Sequence, residues 1–180
     1  MPFLHTKSSK ITFLTAENCI SNIAVNIIKE LQTVTNMYKA RGFNIAVYNR
    51  NNKFNINAWK EHIRPENLNI CAKWQHIPII DRYIQNIKKV ARCTIKSVPY
   101  KKCTRIMTIS LEDCIIHSRN YFPQKVSISK RLGTNTILLG HLNPDLNMNI
   151  IFGSYAMFYI GETNTLKSRS IPSIALREWN

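Results

Sequence analysis

The sequence predicts a mixed α/β fold, with helices on the faces of a central sheet and a small β extension at the C-terminal end. Three observations carry this. An apolar stripe of helical period runs from Asn18 to Ala40. A second helical pattern opens at Pro78, with isoleucines on one face and cations on the other. Short β-prone runs alternate with both. Apolar stripes at the two periods, interleaved along a chain, are the pattern of helices packed on a sheet.

Taken in order, Pro2 to Glu17 reads as two short strands joined by a polar turn at Lys7-Ser8-Ser9-Lys10, with Phe3, Phe13 and Leu14 as the β-prone bulk. From Asn18, Ile20, Ile23, Ala24, Ile27, Ile28, Leu31, Val34 and Tyr38 fall on one helical stripe. Asn18 is suited to cap that helix, and Gly42 to stop it in a left-handed conformation. Phe43 to Tyr48 reads as a strand, Asn57 to Ile63 as a short helix ended before Pro65, and Leu68 to Lys73 as another strand. Pro78 suits a helix start, and Ile80, Ile84, Ile87, Ala91 and Ile95 mark its buried face to about residue 97. A further helix is expected from about Cys103 to Asn120, with Met107, Leu111, Cys114, Ile115 and Ser118 inward. Beyond Phe122-Pro123 the pattern weakens. Ile150 to Phe152, Tyr155 to Ile160 and Ile171 to Leu176 read as strands, with a polar loop at Glu162 to Ser170. The expected organisation is a domain over 1–123, a linker over 124–149 and a partial, small β-barrel-like region over 150–180.

Composition narrows the classes of function. With 180 residues and a hydrophobic fraction of 44%, the chain can bury a sizeable core, which argues against wholesale disorder. No apolar run is long enough to span a membrane, and the first residues lack the order of a secretory signal, so an intracellular protein with no membrane partner is expected. Five cysteines (19, 71, 93, 103 and 114) fall without zinc-type or disulfide-framework spacing and read as reduced thiols. Net charge is +15, from 25 Lys and Arg against 10 Asp and Glu, a field that favours polyanions. AT-rich coding DNA also enriches Asn, Lys and Ile; clustering of the charge favours the polyanion reading.

The cluster lies on the helix that opens at Pro78. Arg82, Lys88, Lys89, Arg92, Lys96, Lys101, Lys102 and Arg105 follow one another with no acid between Asp81 and Glu112. A solvated helix face ordinarily mixes signs to form pairs one turn apart. A one-sided cationic stripe instead matches a phosphate backbone, and such contacts position a nucleic acid without reading its sequence. Arg82, Lys88, Lys89, Arg92 and Lys96 are the candidate contacts, and Lys73 with Trp74 could add a cation and a stacking ring. His76 precedes the helix and reads as an ordinary loop histidine. No glycine-framed nucleophile or phosphate-cradling glycine loop occurs.

Several segments, in order, resemble the integrase of copia-type retroelements, a family of RNase H-like polynucleotidyl transferases. They are Tyr38-Lys39-Ala40-Arg41-Gly42-Phe43-Asn44, Arg50-Asn51-Asn52-Lys53-Phe54, His76-Ile77-Pro78 through Asp81-Arg82 to Lys88, Asn120-Tyr121-Phe122-Pro123, Thr136 to Gly140, Phe152-Gly153-Ser154-Tyr155 and Ile174-Ala175-Leu176-Arg177. The resemblance implies an RNase H-like sheet flanked by helices and a Mg²⁺-dependent DNA-integration chemistry carried by three acids. It places Asn51 at the second acid and Asp81 at the third, where the family usually has Glu. It implies that the first acid lies on a strand upstream of Pro2, so that the chain resembles an N-terminally truncated internal fragment. The neighbouring strand would then keep an open edge, and oligomers or poor solubility would follow.

Those substitutions oppose the chemistry. Mg²⁺ seeks hard anionic oxygens in near-octahedral array. Asn51 is neutral, Asp81 is one methylene short, and Lys53 stands where the family has Glu. Unit charges about 4 Å apart interact by roughly 4 kcal/mol at an effective dielectric of 20, so losing anions and gaining a cation opposes metal entry. Asp81 also suits the first turn of a helix through the dipole alone, and Asn51 suits a turn. The expected function is sequence-tolerant DNA or RNA binding without catalysis or bound Mg²⁺, with a nuclear location implied by the resemblance. The alternatives are a non-catalytic interaction or regulatory module that assembles with itself or with an intact integrase, and a pseudogene product without a selected role.

Overall fold

The computed structural model describes residues 3–19, 24–50, 68–70, 78–140, 150–161 and 168–176. In chain order the elements are β1 (Phe3–Lys7), β2 (Leu14–Asn18), α1 (Ala24–Ala40), β3 (Tyr48–Arg50), β4 (Leu68–Ile70), α2 (Pro78–Ser97), α3 (Arg105–Tyr121), α4 (Thr134–Leu139), β5 (Tyr155–Tyr159) and β6 (Ser170–Ile174). The fold is mixed α/β. Among the described residues the strands form three two-stranded pairs, not one continuous central sheet. β1 and β2 are antiparallel, β3 and β4 parallel, β5 and β6 antiparallel.

The β1–β2 hairpin sits between helices. Its register pairs Thr6 with Thr15, whose hydroxyls bond at 2.7 Å, and Lys7 with Leu14. Because successive strand residues face opposite ways, Leu14 and Ala16 turn toward α2 and α3. There they join Tyr83, Ile87, Met107, Leu111, Ile115 and Ile116 in the largest core cluster. On the other side, Ile11 and Phe13 pack with Val34 and Tyr38 of α1 and Leu138 of α4. The Phe13 and Tyr38 rings meet edge to face at 6.2 Å. Leu4 of β1 and Tyr48 of β3 both rest on the Ile27, Ile28 and Leu31 stripe of α1. Glu17 reports the same layering: burial, then Glu30 of α1 and Asp113 of α3, raise its carboxyl above the ordinary value.

Helix α1 ends as expected. Gly42 has φ +76, its N–H donates to the Lys39 carbonyl at 2.9 Å, and the Phe43 N–H donates to Tyr38 at 3.0 Å. That pattern closes a helix on a left-handed residue, and the contact between Phe43 and the Tyr38 cluster accompanies it. The start of the helical run differs. Asn18, expected as a cap, is the last residue of β2 and pairs with Phe3. Residues 43–47, expected as a strand, carry no ladder; β3 begins only at Tyr48. The expected helix at Asn57 to Ile63 lies outside the described residues.

Helix α2 spans Pro78–Ser97 as the periodicity predicts, although Ile95 at its far end is 38% exposed. Helix α3 starts at Arg105, capped by the Thr104 hydroxyl, which accepts from the Met107 N–H at 3.3 Å. Cys114 and Ser118, expected inward, are half-buried, while Ile116 and Asn120 are buried.

Packing places two segments of the C-terminal third. Within 124–149, expected as a linker, lies α4, whose Thr134, Asn135 and Leu138 are the most completely buried side chains described. Its approach to α3 requires Gly133, because any Cβ there would collide with the Tyr121 carbonyl. Within 150–180, Phe152 belongs to the largest core cluster, and the Tyr100 hydroxyl donates to the Gly153 carbonyl at 3.0 Å. That segment is seated on the α2–α3 connection, and residues 150–152, expected as a strand, form none. The β5–β6 ribbon beyond it exposes Tyr155, Met157, Phe158 and Tyr159, each more than half exposed.

Candidate nucleic-acid interface

The candidate interface is built on α2. Tyr83 and Ile87 are buried, with Ile80, Ala91 and Val98 packed beside them. At 100° per residue this orients Arg82, Gln85, Lys89, Arg92 and Lys96 to the opposite side, and all five are exposed. Lys88 is exposed too but sits on a flank, where it borders a groove shared with Phe3, His5, Ile84 and Ile95. From Arg82 to Lys96 the helix rises about 21 Å at about 1.5 Å per residue. That is roughly six phosphate spacings of one strand at about 3.4 Å each. Lys101, Lys102 and Arg105, all exposed, continue the charge past the helix end.

No ion pair among the described residues engages Arg82, Lys88, Lys89, Arg92 or Lys96. The acid nearest the stripe in sequence is Asp81, half-buried in the first turn of α2, where the helix dipole favours a carboxylate. The contact between His5 Nε2 and Glu112 Oε1, at 3.0 Å, lies in the layer between β1 and α3. Among the described residues, the stripe therefore presents positive charge to solvent without a neutralising ion pair.

Of the residues expected at the site, Asn51, Lys73 and Trp74 lie outside the described residues, as do Lys53 and His76. Described next to Asn51 is Arg50, the end of β3, which is 5% exposed and whose guanidinium is lowered from its ordinary value by desolvation. Beside it the Asn69 amide donates to the Asn49 side-chain oxygen at 2.9 Å across the parallel pair. Among the described residues no three His, Cys, Asp or Glu side chains form a metal-sized cluster.

The tertiary structure adds cations that the sequence pattern did not nominate. At the N-terminal end of α2 a groove of about 640 Å³ opens between β1, α2 and the segment after α3. Lys7, Arg119 and Lys125 join Arg82 around it. No sequence window holds these four together, and only the hairpin and the end of α3 bring them to one place. Burial raises the Tyr83 phenol beneath them, with the nearby Arg119 acting in the opposite sense. No family model, curated protein or solved structure matches the chain.

Proposed function

We propose that the chain is a catalytically silent protein of copia-type integrase descent that binds nucleic acid without sequence preference through the exposed face of α2. The observation that carries this is the exposed stripe of Arg82, Lys89, Arg92 and Lys96, flanked by Lys88 and without an ion pair among the described residues, on the solvent side of a helix whose other side is core. The order of elements supports the RNase H-like descent: an antiparallel hairpin, a helix, a parallel strand pair, then a helix with Asp81 in its first turn. A nuclear location accompanies that descent.

Catalysis is not part of the proposal. The donors the sequence supplies are one carboxylate at Asp81, followed by Arg82, and a neutral amide at Asn51, which is preceded by the buried cation Arg50. This set does not fit an ion that seeks several anionic oxygens, and no step is assigned to a metal. Incubated with Mg²⁺ or Mn²⁺ and element-end DNA, the chain is expected to give no cleavage or joining. Turnover above that of Asp81→Ala protein overturns this.

Binding itself is tested by salt. Five phosphate contacts give a plot of log affinity against log salt with slope about −3.5 on single strands and about −4.5 on duplex. A flat plot overturns the proposal. One observation favours a second reading, an interaction module: the β5–β6 ribbon leaves a contiguous run of aromatic and aliphatic side chains open to solvent. Such a surface marks a partner-binding site in many proteins. Its association would be insensitive to salt, so the same titration separates the two readings.

A further inference from the structure

The groove at the N-terminal end of α2 has a composition that selects a ligand. Its rim carries Lys7, Arg82, Arg119 and Lys125, and among the described residues no Asp or Glu lines it. Two of these cations lie over one aromatic ring: Lys7 Nζ is 5.9 Å and Arg119 Cζ 5.8 Å from the centroid of Tyr83. The ring's negative face holds cations over it, while its burial in the core keeps it from moving away. Like charges gathered around one groove repel, and an anion bound in it relieves that repulsion. The lining also holds Asn86 and Gln124, which supply neutral hydrogen-bonding groups, and the exposed apolar side chains of Ile79 and Val126.

The ligand that fits is anionic at regular intervals and flat and apolar between them. Cavities of about 300–1,000 Å³ enclose small ligands. A groove of about 640 Å³ therefore admits a short stretch of one strand but not the body of a duplex. Position supplies the second argument. Arg82 belongs both to the exposed face of α2 and to the groove wall, so a strand lying on the stripe is delivered into the groove at that residue.

We infer that this groove binds the phosphates of a single-stranded nucleic-acid segment, with Lys7, Arg119 and Lys125 as contacts and Ile79 and Val126 as surfaces for base faces. The inference rests on the nucleic-acid reading of α2 and divides the labour: the stripe holds any phosphate backbone, and the groove distinguishes a free strand from a duplex. An anionic lipid headgroup shares the charge, but the groove's continuity with a straight cationic helix favours a strand.

The experiment uses the full chain at one salt concentration, with three probes: a fluorescent oligothymidylate, a blunt duplex of the same length, and phosphatidylserine vesicles. The groove variant is Lys7→Glu with Lys125→Glu, both at exposed positions; Arg119→Gln is a separate, milder variant. The stripe variant is Arg92→Glu with Lys96→Glu. Thermal melts confirm that each remains folded. The groove variant is expected to lose about tenfold or more on the single strand while duplex affinity stays within about twofold, and the stripe variant to lose on both probes. Equal losses on strand and duplex, or no loss on either, overturn the inference. So does a groove variant whose only deficit is on vesicles, which would make the groove a lipid site. If the stripe variant binds normally while the groove variant loses the single strand, the reading of α2 fails and the groove stands. If the stripe variant alone is impaired, the reverse holds.

Discussion

Asn120→Ala is expected to cost the fold about 3–5 kcal/mol, a large share of the roughly 5–15 kcal/mol that holds a typical domain together. Asn120 is 2% exposed at the end of α3. Its side-chain oxygen accepts from the Leu14 N–H at 3.1 Å, and its amide donates to the Leu14 carbonyl at 2.8 Å. Leu14 and Lys7 face each other across the hairpin, and the two Leu14 backbone groups point away from β1 toward Asn120. The side-chain amide thus replaces a peptide on the outer edge of β2. The Thr134 hydroxyl donates one shared bond to the backbone and side-chain oxygens of Asn120, at 3.1 and 3.0 Å, which brings in α4.

Alanine would leave the Leu14 donor and acceptor buried and unmatched, at about 1–3 kcal/mol each, and open a small cavity. Asn120→Asp should fare no better, because a carboxylate cannot donate and would face the Leu14 carbonyl. Thr134→Val should be the mildest of the three. Urea denaturation gives the comparison. An Asn120→Ala protein within about 1 kcal/mol of the parent would show that the edge of β2 is held by other means.

Reversing three charges on α2, with Lys89→Glu, Arg92→Glu and Lys96→Glu, is expected to lower nucleic-acid affinity about a thousandfold at low salt and to flatten the salt plot. These side chains are exposed and make no described ion pair, so the fold loses little. Reversal removes three phosphate contacts and adds three repulsions, so the effect exceeds simple truncation. Truncation to alanine should give an intermediate loss and reduce the slope by about 0.7–0.9 for each contact removed. Fluorescence anisotropy across a salt series measures both quantities. Retained affinity in the reversal variant, with its melting temperature unchanged, would remove α2 from the interface.

The two halves of this behaviour were unequally visible in the chain. Helix α2 was legible because both of its faces obey one period over twenty residues: isoleucines at one phase, cations at the other. The stop at Gly42 was legible because a single residue type solves that backbone geometry. Asn18 is ambiguous in sequence because the same short polar side chain serves as a helix cap or as a strand end. The choice was made by its pairing with Phe3. Helix α4 is hard to read for a related reason. Its polar opening, Thr134-Asn135, falls in a stretch expected as a linker, and only the close approach at Gly133 and the bond of Thr134 to Asn120 set it against α3.

Periodicity and charge therefore determined, without coordinates, that this protein alternates helices with strands and carries one cationic helix face. Such features depend on neighbours within a turn or two, and local sequence contains them. The tertiary structure alone decided that α4 and Phe152 belong to the core. It alone set a side-chain amide against the edge of β2, and placed Lys7, Arg119 and Lys125 around Arg82. Those relations join residues many positions apart. They depend on which surfaces the chain buries together, because an isolated polar group or charge has no partner until packing brings one to it.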